Sequence, residues 1–314
     1  MKKIFIAGHN GMVGSAIWRR LETAGRFQLM GKSRSELDLR NQRAVVDFID
    51  QAKPDIVIDA AAVVGGILAN DTYPYQFLMD NLLIQNNLIH SAHEKGVSKF
   101  IFLGSSCIYP RLAAQPLKED SLLTGALEPT NEWYAIAKIA GVKACEAIRK
   151  QYQKDFVSLM PTNLYGPHDN FDLVTSHVLP AMIRKFHDAK VKQEASVLVW
   201  GSGTPLREFL HVDDLAEAVL FATEQTLPEH LYNVGSGHEL SVNQLAELIK
   251  QIVGFQGTIQ WDISKPDGTP RKLMDSSKLI EAGWTPKIEL QAGIRATYSW
   301  FLNHTKEVKQ VSIG

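Results

Sequence analysis

Residues 3–17 read KIFIAGHNGMVGSAI: a short apolar run passes straight into Gly8, Gly11 and Gly14, and from there into residues of helical character. A dinucleotide needs this arrangement for three reasons: a tight turn, an approach free of side chains for its pyrophosphate, and close packing of helix on strand. The helix N-terminus adds unpaired N–H groups and partial positive charge for the phosphates. With 22 glycines in 314 residues, three at this spacing arise about 0.1 times by chance, so the pattern draws its weight from lying between a strand and a helix.

Outward from that loop, strand-like runs at 3–7, 27–30, 56–60, 100–103 and 157–160 alternate with helical stretches at 12–24, 42–51, 75–93 and 133–151. In the last of these, Ile136, Ile139, Ala140, Val142 and Ala147 form an apolar stripe. The alternation predicts right-handed crossovers and an α/β fold, a Rossmann-type doubly wound parallel sheet. The runs 56–58 and 101–103 are almost continuously apolar, as strands covered on both faces are. After about residue 165 the loops GPHDN, GSGTP and KPDGTPRK bring more glycine and proline, and the elements shorten. The expected organisation is an NADP-binding unit at 1–165 and a smaller C-terminal α+β substrate-binding unit over 166–314. A segment near 205–235, containing the helical stretch 213–224, is expected to return to the first unit.

Composition narrows the function. Lysine and arginine number 33 against 34 aspartates and glutamates, a net charge of −1, which offers no basic face to nucleic acid or to an acidic membrane. The apolar share of 45% is ordinary for a globular chain with a sizeable core. The longest apolar stretch, 56–69, is broken by Asp59 and two glycines and falls short of the ~20 residues of a membrane span. The apolar part of MKKIFIAG covers only residues 4–7, against ~7–15 for a signal-peptide core. Two cysteines predict a reducing compartment and no disulfide framework, hence a cytoplasmic protein.

An NAD site wants an acid at the end of the second strand, ~20 residues beyond the glycines. Here 27–30 is followed by Gly31-Lys32-Ser33-Arg34, with no carboxylate until Glu36. Arg34 suits the forked recognition of a 2′-phosphate and so favours NADPH; the alternative is that Arg34 and Lys32 face solvent.

Tyr134 and Lys138 lie one helical turn apart. A tyrosine that transfers a proton near pH 7 starts from a pKa of ~10 and needs a cation to lower it, a role open to Lys138. The YxxxK spacing arises about 0.5 times by chance, and alone it reads better as a surface helix pair. The run 100–103 leads into Ser105-Ser106-Cys107 at the carboxyl edge of the sheet, where doubly wound folds bind ligands. If the strand continues, Ser105 and Cys107 project from one face, a hydroxyl to polarise a carbonyl and a thiol to deprotonate carbon. Cys107 alone also reads as a small buried hydrophobe, Cys145 reads as core, and His177 alone reads as a satisfied polar histidine. His90 and His93 lack a third ligand, so no metal site is expected.

The blocks GSSCIYP (104–110), EPTNEWYAIAK (128–138), MPTNLYGPHDN (160–170), SHVLPA (176–181), WGSGTPLREFLHVDD (200–214) and KPDGTPRK (265–272) add a family signature. From Ile4 to about Phe301 the chain resembles the extended short-chain dehydrogenase/reductase superfamily. Within it, the resemblance is to the NADPH-dependent 3,5-epimerase/4-reductases that convert GDP-4-keto-6-deoxy-D-mannose to GDP-L-fucose. It implies Cys107 as base and His177 as acid at C3 and C5, where the C4 ketone acidifies the hydrogens. It also implies Tyr134 as proton donor in the reduction of C4, Ser105 polarising the C4 oxygen, and Lys138 holding the tyrosine and the nicotinamide ribose. Implied cofactor contacts are the glycine-loop residues Gly8, His9, Asn10, Gly11, Met12, Val13 and Gly14, with Arg34, Asp38, Leu39, Leu103, Gly104, Lys138, Pro161, Thr162, Asn163, Leu164 and His177. Implied substrate contacts are Lys185, Trp200, Arg207 and Asp267, and the implied assembly is a homodimer through the helices after strands three and four.

Two positions depart from the family pattern. Asn10 stands where some members carry a basic residue, and Lys185 replaces an arginine fork with a point charge. The alternatives are a nucleotide-sugar 4-epimerase or 4,6-dehydratase of the same superfamily, or an inactive NADPH-sensing binding protein. A dehydratase is expected to carry acids beside the catalytic serine, where Ser106 and Cys107 stand. Both Tyr134 and Lys138, which drift to inactivity usually spoils, are present.

Overall fold

The computed structural model describes residues 1–304 other than Val174 and Pro266, so 305–314 of the expected second unit lie outside it. The chain begins β1 (Lys2–Ala7), α1 (Met12–Ala24), β2 (Phe27–Met30), α2 (Gln42–Ala52), β3 (Ile56–Asp59), α3 (Ile67–Thr72), α4 (Pro74–Glu94) and β4 (Lys99–Leu103). It continues α5 (Glu132–Tyr152), β5 (Asp155–Pro161), β6 (Asn163–Tyr165), α6 (Val178–Lys192), β7 (Ser196–Trp200), β8 (Leu206–His211), α7 (Val212–Glu224) and β9 (Leu231–Val234). It ends β10 (Glu239–Ser241), α8 (Val242–Val253), β11 (Thr258–Asp262), β12 (Arg271–Lys272), α9 (Ser277–Ala282) and α10 (Leu290–Asn303).

Six strands form one parallel sheet in the order β2-β1-β3-β4-β5-β9. Alternation along each strand feeds two separate cores. Ile4, Ile6, Ile58, Ile101 and Leu159 meet Ile17 and Leu21 of α1 and Leu215 and Val219 of α7. On the other face, Phe5, Val57, Phe100, Phe102 and Phe156 meet Ile49 of α2, Leu88 of α4 and Val142 of α5. This is the Rossmann-type doubly wound sheet, and its winding reverses between β1 and β3, the switch point where such folds bind ligands.

The remaining elements pack around β8, which pairs with β6 and β12 in parallel and with β10 antiparallel, while β7 and β11 form a parallel pair of their own. Helices α6, α8 and α10 enclose a third core around Phe186, Leu245, Ile249 and Phe301. α8 opens with a reciprocal cap, Gln244 N–H donating to Ser241 Oγ at 3.1 Å and Ser241 N–H to Gln244 Oε1 at 2.8 Å. α7 and β9 lie with the first unit, in its core and at the edge of its sheet.

Candidate active site

The glycine loop leaves β1 at the switch point. Gly8 has φ +78°, and a Cβ there would lie 2.7 Å from the Ala60 carbonyl at the end of β3. A Cβ at Gly14 would overlap the Gly8 carbonyl oxygen, so α1 starts flush against the strand. α1 has no side-chain cap and no acid in its first turn, leaving its N–H groups free for phosphates. The His9 ring lies tilted 5.6 Å from the Trp18 ring, and its Nδ1 is buried without a partner among the described residues. Met12 and Val13 pack on the core, and Asn10 is exposed. These features fit a dinucleotide pyrophosphate.

Beyond β2, Arg34 is exposed and has no ion pair among the described residues. Glu36 turns onto its own loop, accepting from Ser33 N–H at 2.8 Å, Ser33 Oγ at 2.7 Å and Lys32 at 3.2 Å, and these bonds hold its carboxyl at about 2. Asp38 accepts a fork from Nε and Nη2 of Arg40, which likewise lowers its carboxyl to about 2. The Leu39 carbonyl accepts from Asn87. No free carboxylate meets a ribose 2′-hydroxyl here, while Arg34 is available to a 2′-phosphate.

The proton-transfer residues gather at the ends of β4 and β5. β4 stops at Leu103, and residues 106–108 form a 3₁₀ turn, so Ser105 and Cys107 do not share a strand face as expected. Ser105 instead caps the turn, its Oγ accepting from Cys107 N–H at 3.4 Å. Cys107 is buried, which pushes its thiol up; the Lys272 ammonium is the largest offset, followed by the Ser105 hydroxyl and Lys138. The Gly104 N–H donates to the Leu159 carbonyl, and Met160 fills the space beside Gly104.

Lys138, buried inside α5, donates to the Leu103 carbonyl at 2.9 Å and lies 4.7 Å over the Phe102 ring. Its Nζ is 5.9 Å from the centre of the Tyr134 ring. The expected lowering of the Tyr134 phenol is not what this geometry produces. Burial raises it, and charge on Cys107 and Asp59 raises it further, so the phenol stays protonated. A proton donor for a reduction needs that state. Lys138 itself is lowered by burial, offset first by Asp59 and then by Cys107.

At the end of β5, Thr162 N–H donates to the Val234 carbonyl, and Asn163 Nδ2 donates to the Glu208 carbonyl at 2.7 Å. Pro161 is the last residue of β5, and Leu164 lies in β6, which leaves the main sheet to pair with β8. His177 is the residue before α6, with φ −75° and ψ 167°, and no side-chain cap. The residue is exposed, yet loss of water around the ring lowers its imidazole, and the Lys272 ammonium lowers it further; the helix N-terminus acts in the same direction. Lys272 therefore acts on both Cys107 and His177.

The expected substrate contacts form two groups. Trp200 is half exposed between two ammonium groups, Lys185 at 5.3 Å and Lys265 at 5.4 Å from its ring centre, and Lys185 also donates to the Leu198 carbonyl. Arg207 donates to the Asp267 backbone carbonyl at 3.0 Å and pairs in register with Lys272. The Asp267 carboxylate is engaged by Ser202, through its N–H and its hydroxyl, both at 2.8 Å. Three site residues escape a reading of the sequence. Lys272 and Glu128 line the cleft beside Cys107, and each stands at one end of a family motif whose pattern alone gives it no role. Asp59 registered only as a break in an apolar run, although a carboxylate at the end of a buried strand is itself a signal.

The fold and this site define a class, a nicotinamide-dependent enzyme built to move protons beside a carbonyl. Residues 4–235 match the model of the NAD dependent epimerase/dehydratase family, and the chain belongs to that family. It is 59% identical over 302 residues to GDP-L-fucose synthase 1 of Arabidopsis thaliana, covering 96% of this chain and 94% of that one. It is 52% identical over 313 residues to GDP-L-fucose synthase of Escherichia coli K12, covering 96% and 97%. Among solved structures, a GDP-L-fucose synthetase from Naegleria fowleri bound to NADP superposes with a TM-score of 0.90 at 28% identity, over 98% of this chain and 96% of that one.

Proposed function

We propose that this chain is a GDP-L-fucose synthase, an NADPH-dependent enzyme that epimerises GDP-4-keto-6-deoxy-D-mannose at C3 and C5 and reduces it at C4. The observation that carries this reading is Cys107, buried in a cleft that Lys272 also lines, with Ser105 capping its turn and a buried Lys138 beneath the Tyr134 ring. A 4-epimerase or dehydratase has no use for a thiol and an imidazole in addition to its tyrosine.

The C4 ketone acidifies the hydrogens on C3 and C5. The Cys107 thiolate, stabilised by Lys272, removes a proton from one face, and His177 returns one to the other, inverting each centre through an enolate. Ser105 donates a hydrogen bond to the C4 oxygen in both stages. Bound NADPH supplies the hydride that reduces C4. Tyr134 gives its proton to the C4 oxygen, and the Lys138 ammonium steadies the charge left behind. Arg207 and Lys185 face the diphosphate, and Trp200 offers its ring to the base or sugar. Arg34 takes the cofactor's 2′-phosphate, and the glycine loop with α1 takes the pyrophosphate.

A homodimer through α4 and α5 agrees with the exposed Leu83, Trp133 and Ile136 on those helices. No helix among the described residues is long and apolar enough to cross a membrane, and the proposed location is the cytoplasm. The test is NADPH consumption with GDP-4-keto-6-deoxy-D-mannose, product stereochemistry being read by NMR. Net NADPH oxidation with formation of GDP-L-fucose is expected. Recycling of tightly bound NAD without net oxidation would instead indicate an epimerase or dehydratase. In D₂O, Cys107→Ser should lose deuterium entry at C3 and C5 while retaining reduction, and Tyr134→Phe should do the reverse.

A further inference from the structure

One buried ionisable side chain of the site has no part in the chemistry above. Asp59 ends β3 with none of its surface exposed. One carboxylate oxygen accepts only the Ala61 N–H, at 3.1 Å, and the other has no partner. A lone buried carboxylate is costly to hold, and such groups persist where an opposite charge or a function needs them. Lys138 has the complementary difficulty. It is 2% exposed, and its hydrogen bond is to the neutral Leu103 carbonyl. The two are joined through the sheet: Asp59 is in register with Phe102 of β4, and the Phe102 ring lies 4.7 Å beneath the Lys138 ammonium.

We propose that Asp59 is a positioning residue for the reductive step, a buried countercharge that keeps Lys138 an ammonium beneath the Tyr134 phenol. This rests on the function proposed above. The ionisable groups facing Asp59 all come from α5: Lys138, Tyr134 and Cys145. α4, which packs on β3, buries no ionisable side chain, and the register neighbours of Asp59 are Ala7 and Phe102. Lys138 has no other countercharge as strong, since Asp59 offsets its burial more than Cys107 does.

The consequence lies on the alkaline side. Removing a carboxylate leaves a buried ammonium that gives up its proton at lower pH. Single-turnover NADPH oxidation with GDP-4-keto-6-deoxy-D-mannose, followed from pH 6 to 9, is compared for the wild type and Asp59→Asn. The alkaline limb of the variant moves down by about one pH unit, so it lags roughly tenfold above the limb and recovers the wild-type rate near pH 6. A loss that is equal at every pH, or no loss, overturns the proposal. Wild-type protein that oxidises no NADPH overturns the functional reading instead, and the countercharge is then judged without substrate. In ¹³C NMR of protein labelled at aspartate carboxyls, the Asp59 signal, assigned by its loss in Asp59→Asn or Asp59→Glu, titrates at about 6 and moves upward in Lys138→Met. A titration that Lys138→Met leaves unchanged shows the two charges to be uncoupled and sinks the proposal.

Discussion

The Gly66 N–H donates to the Thr175 carbonyl at 3.0 Å, tying the loop after β3 to the segment that carries His177. Thr175 is nearly buried; its N–H and its hydroxyl both donate to Asp172 Oδ1, at 2.9 and 3.0 Å, and its oxygen accepts from Asn170 Nδ2 at 3.0 Å. A Cβ at Gly66 would lie 2.8 Å from the Ser176 carbonyl, so the two loops meet with no room to spare. Thr175→Val keeps the shape and removes the hydroxyl that accepts from Asn170 Nδ2, at a cost of about 1–3 kcal/mol. The expected result is about tenfold slower deuterium entry at C3 and C5, with sugars reduced without inversion appearing among the products by NMR. Unchanged deuterium entry would show that this junction does not set the position of His177.

Lys272 is the largest influence holding down the Cys107 thiol against burial. Lys272→Met takes that cation away, so the thiol rises further and less thiolate is present at neutral pH. The pH profile of deuterium entry from D₂O should move toward alkali by about one unit, roughly tenfold slower at pH 7, and the loss should be recovered at high pH. A profile that keeps its midpoint would rule out Lys272 as the cation that sets the base.

Arg34 stands where a 2′-phosphate is expected, and no ion pair among the described residues occupies it. Charge-assisted hydrogen bonds of this kind contribute about 1.5–3 kcal/mol, so Arg34→Ala should raise the KM for NADPH by roughly 10- to 100-fold. The KM for NADH, which lacks the phosphate, should stay within about twofold. An equal rise for both cofactors would assign Arg34 to the loop's structure rather than to the phosphate.

The main sheet was legible because its strands are continuous in apolar residues and its helices carry a clear 3.6-residue stripe; the glycine loop fixed where they begin. Past Tyr165 that signal fades. β6, β10 and β12 are two or three residues long, and they exist because β8 supplies a partner far away in sequence. No local period encodes such a partner. The 3₁₀ turn at Ser106–Ile108 was hidden in the same way, since only the Ser105 cap and the following Tyr109-Pro110 mark the end of β4. Tyr134 and Lys138 could be paired from their spacing, whereas the strand-face spacing of Ser105 and Cys107 did not hold, and the roles of Cys107 and His177 came only with the family resemblance. The charges that tune them, Asp59 and Lys272, arrive through the register of β3 with β4 and of β8 with β12, which is a property of the fold.

The last expectation concerns stability near the loop that precedes His177. Asp169 accepts the Asn170 N–H at 2.7 Å, its other oxygen is buried without a partner, and burial pushes its carboxyl up to about 7. In the unfolded chain the same group titrates near ~3.9. The unfolded state therefore releases this proton first, and Asp169 draws stability away as pH rises from about 4 to about 7, after which its effect is level. Asp169→Asn keeps an acceptor for the Asn170 N–H and cannot ionise. At pH 4, the foot of that window, Asp169 is neutral in the folded protein and about half ionised in the unfolded chain, so variant and wild type should melt nearly together. At pH 8 the variant should melt higher, by roughly 2–4 °C for each kcal/mol of relieved charge burial. Calorimetry at the two pH values decides it: a difference in Tm that is the same at pH 4 and pH 8 would mean that the Asp169 carboxylate finds in the folded protein the solvation it has outside.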